Sequence, residues 1–304
     1  MNPKVSVIVP NYNHASYLKQ RIDSILNQTF QDFEVIILDD CSTDNSLEVL
    51  SHYKNHNKVS HCVFNDTNSG STFKQWDKGI QLAKGEWIWI AESDDWAEPE
   101  FLETINTHLR NCNNCGLIYT SSRLVDAEGC IRFSNSNNND GSIKVYNGEK
   151  FIAEKLSTSN SIWNASMVVF RKSLYSQIDT QLFTRFKYCG DWFFYVLIAE
   201  QASVMQINQI LNNFRVHKNN VSTNAEKTGI SFTEGIVIYN YLRKHLTLKE
   251  KIRTIYFWGK SIYKYKQKYE VNGERWKKIS NEIIVLNKTI WLSYYLYSFL
   301  KKQI

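Results

Sequence analysis

The sequence predicts an α/β fold, a doubly wound and mainly parallel sheet, followed by a helical and basic C-terminal extension. Three observations carry that prediction. Short apolar runs alternate with apolar residues at helical spacing through the first hundred positions. Several of those runs stop abruptly in Asn-rich or acidic clusters. From Arg243 onward 15 Lys and Arg face 4 Asp and Glu, a net of +11, which leaves residues 1–242 at −5.

The elements follow in order. Val5–Val9 is an apolar run ending at Pro10-Asn11-Tyr12-Asn13, after which Leu18, Ile22, Ile25 and Leu26 recur as one helix face. Phe33–Leu38 is a second run, stopped by Asp39-Asp40, and Ser42 to Asn45 offer N-caps for a helix through Leu47, Val49 and Leu50. Val59–Phe64 reads as a third strand. Phe73, Trp76, Ile80 and Ala83 share a helix face, closed by Lys84 and Gly85 as a C-cap. Trp87–Ala91 is apolar throughout, as a parallel strand covered on both faces would be, and runs into Glu92-Ser93-Asp94-Asp95. Glu98-Pro99 opens another helix with Phe101, Leu102, Ile105 and Leu109 inward. This βαβαβαβ order is that of a doubly wound sheet.

Beyond it the pattern loosens. Leu117–Thr120, Cys130–Phe133, Ser166–Phe170 and Val204–Ile207 read as strands, and Ser134–Gly141 as a polar surface loop. Asp191 is placed to cap a helix through Trp192, Phe193, Val196 and Leu197. From about Ser231 the reading is helical, aromatic and basic. The working division is residues 1–225, split near 110 into two halves, and residues 226–304.

Composition bounds the function. With 304 residues, 43% hydrophobic and 22% charged, the chain is globular rather than disordered or fibrous. No run of about 18 or more apolar residues predicts a membrane span. Met1 to Pro10 lacks the apolar core of a signal peptide and reads as a first strand, which places the chain in the cytoplasm. Six cysteines are too sparse for a disulfide scaffold and are expected as reduced thiols. Cys112 and Cys115 have the spacing of a metal knuckle but no partner pair, so they read as small residues ending a helix.

In an open parallel sheet, ligands bind outside the carboxyl ends of the strands. Asn11-Tyr12-Asn13, Asp39-Asp40 and Glu92, Asp94 and Asp95 all fall there. Adjacent carboxylates repel, so three such clusters at one rim suit a divalent cation, Mg²⁺ or Mn²⁺, with positions left for phosphate oxygens. The plainer reading is that these acids cap helices. There is no G-x-G-x-x-G and no G-x-x-x-x-G-K-[ST]. A nucleotide would therefore be held by side chains: Tyr12 to stack a base, Asp40 to pair an imide, and Asp94 and Asp95 toward a metal.

Val5-Ser6-Val7-Ile8-Val9-Pro10-Asn11-Tyr12-Asn13, Ser24-Ile25-Leu26-Asn27-Gln28-Thr29-Phe30, Asp39-Asp40-Cys41-Ser42-Thr43-Asp44 and Ser93-Asp94-Asp95 together resemble the family 2 glycosyltransferases of the GT-A fold. The resemblance spans roughly residues 3–220. It implies an inverting hexosyl- or N-acetylhexosaminyl-transferase using a nucleotide-diphospho-sugar, most often UDP-linked, with Mn²⁺ or Mg²⁺. It also implies roles. Pro10 and Tyr12 would border the pyrimidine, and Asp40 would accept its N3–H. Lys74 would reach toward the nucleotide, and Asp94 toward the ribose or metal. Asp95 would ligate the metal. Asp191 resembles the catalytic base, and His217, in Phe214-Arg215-Val216-His217-Lys218-Asn219-Asn220-Val221-Ser222, resembles a late metal or diphosphate contact. Glu92 stands where many members have Asp. The Gln-x-x-Arg-Trp motif of processive synthases is absent, and Asn272-Gly273-Glu274-Arg275-Trp276 only echoes it.

The expected acceptor is a glycan or a lipid-linked sugar, as in surface polysaccharide assembly. Trp163 and Trp192 either stack on it or pack in the core. Ile290 to Lys302, amphipathic and flanked by Lys, either lies on an anionic membrane, peripheral on its inner face, or packs on the catalytic domain. Nucleic acid is not expected as a partner. Two rivals stand beside this reading. A sugar-1-phosphate nucleotidyltransferase would carry a Gly-rich basic loop where Asn11-Tyr12-Asn13-His14 stands. A non-catalytic nucleotide-sugar or membrane binder would have no need of intact carboxylates at each rim position.

Overall fold

The computed structural model describes residues 2–109, 112, 114–134, 139–218, 228–269 and 271–302. Residues 135–138 of the expected surface loop and residues 219–222 of the late motif lie outside the described residues. The chain divides into two compact units, Met1–Gly148 with Ile162–His217, and Glu149–Ser161 with Lys218–Ile304.

The first unit is built on a ten-stranded sheet. Its strands are β1 (Val5–Asn11), β2 (Phe33–Asp39), β3 (Val59–Phe64), β4 (Trp87–Ile90), β5 (Trp96–Ala97), β6 (Cys115–Val125), β7 (Ile131–Phe133), β8 (Ile143–Tyr146), β9 (Val168–Arg171) and β10 (Ser203–Arg215). They run in the order β3-β2-β1-β4-β9-β6-β10-β5, with β7 on β6 and β8 on β10. The first four are parallel, as the alternation of strand and helix requires. β9 runs antiparallel between β4 and β6, which makes the sheet mixed.

β1, β2 and β4 are buried at every position, the pattern of strands covered on both faces. Helices α1 (Ala15–Leu26), α2 (Ser46–Ser51), α3 (Thr72–Leu82) and α4 (Phe101–Leu109) follow β1, β2, β3 and β5, and α5 (Gly190–Ala199) precedes β10. Leu18, Ile22 and Ile25 of α1 join Phe101, Leu102 and Ile105 of α4 and alternate residues of β1, β2 and β4 in one apolar core.

Four expectations change. Gly85 is not a left-handed cap; the cap of α3 is Ala83, and a Cβ on Gly85 would stand 2.5 Å from the Ser6 amide nitrogen, so its smallness serves a close crossing. Asp191 lies inside the first turn of α5, whose N-cap is Cys189. β6 and β10 extend well beyond the apolar runs that signalled them. Cys112 and Cys115, expected as thiols, form a disulfide, their Cα atoms 5.4 Å apart. Among the described residues Cys41, Cys62, Cys130 and Cys189 form no disulfide.

The second unit contains α6 (Ile230–Leu242), α7 (Leu248–Lys268), α8 (Gly273–Leu286) and α9 (Lys288–Lys302). A reciprocal capping box of Thr247 and Glu250 starts α7. α9 packs on α7 where Gly259 allows close approach: an added Cβ there would meet Ser293 and Tyr294 at 2.5–2.7 Å. Asn240 ties α6 to the end of α8, donating to the Leu286 carbonyl and accepting from Asn287. Among the described residues no helix is long and apolar enough to cross a membrane.

Candidate active site

The rim is assembled from the carboxyl ends of β1, β2, β4 and β10. At the first two, β1 and β2 end level, Asn11 opposite Asp39. Asn11 Nδ2 donates to Asp39 Oδ1 (2.7 Å), and Asp39 also accepts from the Ser42 amide and hydroxyl. Asn13 Oδ1 accepts from the Thr43 amide (2.7 Å). Asn13 and Cys41 hold left-handed φ of 58° and 62°, strained for residues other than glycine and sustained here by these cross-links. Pro10 is buried in β1 and the Tyr12 ring is exposed beyond it. Asp39 thus serves the loops, while Asp40 turns to the opposite side.

Asp40 Oδ1 accepts from Asn65 (2.7 Å), from the Ser69 amide (2.9 Å) and from Gln75 (2.9 Å). Its Oδ2 takes the Ser69 hydroxyl (2.7 Å). Lys74 Nζ reaches the Ser69 carbonyl (3.3 Å), so Asp40 and Lys74 meet at one residue.

At β4 the chain turns through Glu92 to Asp95 into β5, which pairs antiparallel with β10 (Trp96↔Asn213, Ala97↔Asn212). That short ladder brings the acidic turn beside Arg215 and His217. His217 Nε2 lies 3.0 Å from Asp94 Oδ2. His14, at the N-cap position of α1, enters from β1; its Nδ1 pairs with the Ser93 hydroxyl (2.8 Å). His14, Asp94 and His217 offer ligand atoms all within 4.8 Å of one another, close enough that the three could share one cation.

The electrostatics fit that role. Burial lowers the His14 pKa, which favours the neutral, ligating imidazole, although Asp94 pulls the other way. Burial alone would raise Asp94, but the His217 hydrogen bond and the charges of His14 and His217 hold its carboxyl below the ordinary value. One carboxylate and two imidazoles form a mixed oxygen and nitrogen donor set, in which the imidazoles favour a transition ion over Mg²⁺.

Asp95 is not brought into this cluster. It is buried, its Oδ1 accepts from the Arg215 amide (2.9 Å) and its Oδ2 accepts from Asn164. Burial, with Asp94 adding repulsion, pushes its pKa up to about 7. Asp95, expected as a ligand, thus stands apart from the His14, Asp94 and His217 group, each of its oxygens accepting one hydrogen bond. Glu92 behaves similarly: it accepts from Trp76 Nε1 (2.9 Å), and burial followed by repulsion from Asp94 pushes it to about 8. Arg21, fully buried over the Trp89 ring at 4.9 Å, is the nearby counter-charge. Burial lowers it to about 10 against the pull of Asp95, Asp94 and Glu92.

Asp191 opens α5, its Oδ1 accepting from the Trp192 amide (2.7 Å). Gly190 beside it is packed against the Phe73 ring of α3. Trp192 is 5% exposed, so it is a core residue and not a face for an acceptor. Trp163 is 41% exposed and adjoins the Phe133 ring at 6.0 Å. Two residues with clear parts were not singled out from sequence. His14 follows Tyr12 and Asn13 just beyond β1, with no local pattern that sets it apart. Arg215 bonds the Asp94 carbonyl (2.8 Å), the Ala127 carbonyl (2.6 Å) and Gln20 (2.6 Å), sandwiched between Tyr17 and Trp96 at 4.5 and 4.8 Å. Its spacing, two residues before His217, was the available signal.

Comparison with known proteins follows the same lines. The model of the family described as Glycosyl transferase family 2 matches residues 6–129. A chondroitin synthase of Escherichia coli is 28% identical over 291 residues, 92% of this chain and 37% of that protein. A hyaluronan synthase of Pasteurella multocida matches over 78% of this chain but 23% of its own length, so the chain spans well under half of these relatives. A solved structure of Staphylococcus aureus TarS with UDP-GlcNAc superposes with a TM-score of 0.70 at 19% identity, covering 94% of this chain and 81% of that one. This is a likeness of fold, GT-A. An uncharacterised glycosyltransferase of Haemophilus influenzae is 30% identical over 230 residues, 75% of this chain and 85% of that protein. Coverage of 85% of that relative at 30% identity, with the family match over residues 6–129, makes this chain a member of the family 2 glycosyltransferases.

Proposed function

We propose that the protein transfers one sugar from a UDP-linked donor to a hydroxyl of a glycan or lipid-linked acceptor, with inversion, in polysaccharide assembly. The observation that carries this reading is the convergence of His14, Asp94 and His217 at the carboxyl ends of β1, β4 and β10. TarS was solved with UDP-GlcNAc, and a Pyrobaculum calidifontis mannosyltransferase, superposing with a TM-score of 0.55 at 15% identity over 98% of this chain and 76% of that one, with GDP-Man and Mn²⁺. In residues 1–225, taken as the catalytic region, Tyr12 covers the base beside Pro10. Asp40 Oδ2, with one hydroxyl donor in place, keeps capacity for an imide N–H. Lys74 faces the nucleotide.

Asp94, His217 and His14 would hold Mn²⁺ or Mg²⁺, which when bound would supply positive charge to offset that on the departing diphosphate. Asp95 and Arg215 fix the turn from behind. Asp191 accepts the proton of the acceptor hydroxyl as its oxygen attacks the anomeric carbon; the carbon–oxygen bond to the diphosphate breaks in the same step. Trp163 offers an exposed ring to the acceptor sugar.

The test is calorimetric titration with UDP, GDP and dTDP, with and without Mn²⁺. Metal-dependent binding of UDP, abolished in Asp94→Asn, is expected. Equal binding without metal, or no binding of any nucleotide, overturns the reading.

A further inference from the structure

We propose that the outward face of α9 is a docking surface for an anionic lipid interface. A helix packed on a protein core ordinarily opposes its buried stripe with polar residues. α9 does not. Ile290, Tyr294 and Tyr297 are buried, and the opposite side carries Leu292, Tyr295, Leu296 and Phe299 at i, i+3, i+4 and i+7. These four, with Leu300, are 48–65% exposed. The helix is therefore apolar on two sides, and only one is accounted for by packing. Exposed Lys288 and Lys301 stand at its ends.

The same combination recurs on α7. Leu248, Ile252 and Tyr256 are exposed at successive i, i+4 positions, next to exposed Lys249, Arg253 and Lys264. Charge decides the occupant. From Arg243 onward the net charge is +11, so a second copy would set two strongly positive faces together. A nucleic acid would satisfy the charge but leave the aliphatic stripe in water. A bilayer surface with anionic head groups takes both: side chains enter at the head-group boundary while the lysines stay among phosphates. This docking stands independently of the transferase reading.

The experiment is flotation of the full chain with vesicles of phosphatidylcholine alone, and with phosphatidylcholine containing a quarter phosphatidylglycerol, at low and high salt. Flotation with the anionic vesicles alone, weakened by salt, is expected. The combined change Leu292→Ser, Leu296→Ser and Phe299→Ser is expected to weaken it about tenfold or more while nucleotide binding stays. Should that variant fail to fold, Lys288→Glu with Lys301→Glu must weaken it instead. No flotation, equal flotation on neutral vesicles, or a dimer that the serine variant dissociates each overturns the proposal.

Discussion

His217 Nε2 and Asp94 Oδ2 are 3.0 Å apart across 123 residues of sequence, although β4 and β10 are not neighbours in the sheet. The contact exists because β5, only two residues long, leaves the acidic turn and pairs with the end of β10. A short ladder therefore fixes the geometry of the cluster.

If His14 completes that cluster, His14→Ala lowers Mn²⁺ affinity about tenfold or more in protein free of nucleotide, read by electron paramagnetic resonance of the free ion. His217→Ala does at least as much. Unchanged Mn²⁺ affinity in both would assign the imidazoles to packing alone.

Arg215 satisfies the Asp94 carbonyl and holds Asp95 through its amide while lying between two aromatic rings. Lys has neither the fork nor the plane to replace it. Arg215→Lys keeps the backbone amide on Asp95 but loses guanidinium bonds to carbonyls and Gln20; it is expected to cost about 1–3 kcal/mol in urea unfolding, and to weaken Mn²⁺ binding with it. A loss below about 0.5 kcal/mol would show that the clamp is dispensable.

Asp191→Asn keeps an oxygen for the Trp192 amide and so should fold normally. Its transfer rate should fall by about 10²–10⁴-fold while UDP affinity is retained. Near wild-type turnover would remove Asp191 from the role of base.

Glu34 links β2 to the α3–β4 crossing, its Oε1 accepting from the Ser6 hydroxyl (2.6 Å) and the Lys84 amide (2.7 Å). Burial raises its pKa, but hydrogen bonds from Ser6, Ser60 and the Lys84 amide together hold it below the ordinary value. A carboxyl depressed on folding stabilises above its unfolded pKa, and that contribution is lost as pH falls. Glu34→Gln should flatten the fall in stability between about pH 5 and pH 3, at a cost near neutrality of about 1 kcal/mol. An unchanged acid limb in urea titrations would refute the assignment.

The half of the fold that sequence reveals is the half in which burial is apolar. β1, β2 and β4 announce themselves because each position faces hydrocarbon. β6 and β10 do not, since their inner positions include Ser121, Ser122, Asn208, Asn212 and Asn213. Those side chains are buried because they satisfy one another or the neighbouring turn: Asn212 Nδ2 donates to the Ser122 hydroxyl (2.9 Å), and Asn213 Nδ2 to Glu98 (3.0 Å). Such pairing is invisible to periodicity. The acidic rim was legible from local clusters. Its division of labour was not, because Asp94 and Asp95 differ only in what distant residues reach them. The Cys112–Cys115 disulfide depends on how closely the two Cα atoms approach, which spacing alone does not fix.

The ladder between β5 and β10 also gives the site a date in the life of the chain. A ribosome that has made residues 6–129, the stretch matching the family model, has released every acid of the rim. Neither the amide that occupies Asp95 nor the imidazole that meets Asp94 yet exists. Until Arg215 and His217 emerge, only Arg21 and His14 among these partners can offset the repulsion of Asp94 and Asp95. Nascent chains thus pass through an interval in which the acids of the rim are present but the cluster of His14, Asp94 and His217 cannot close.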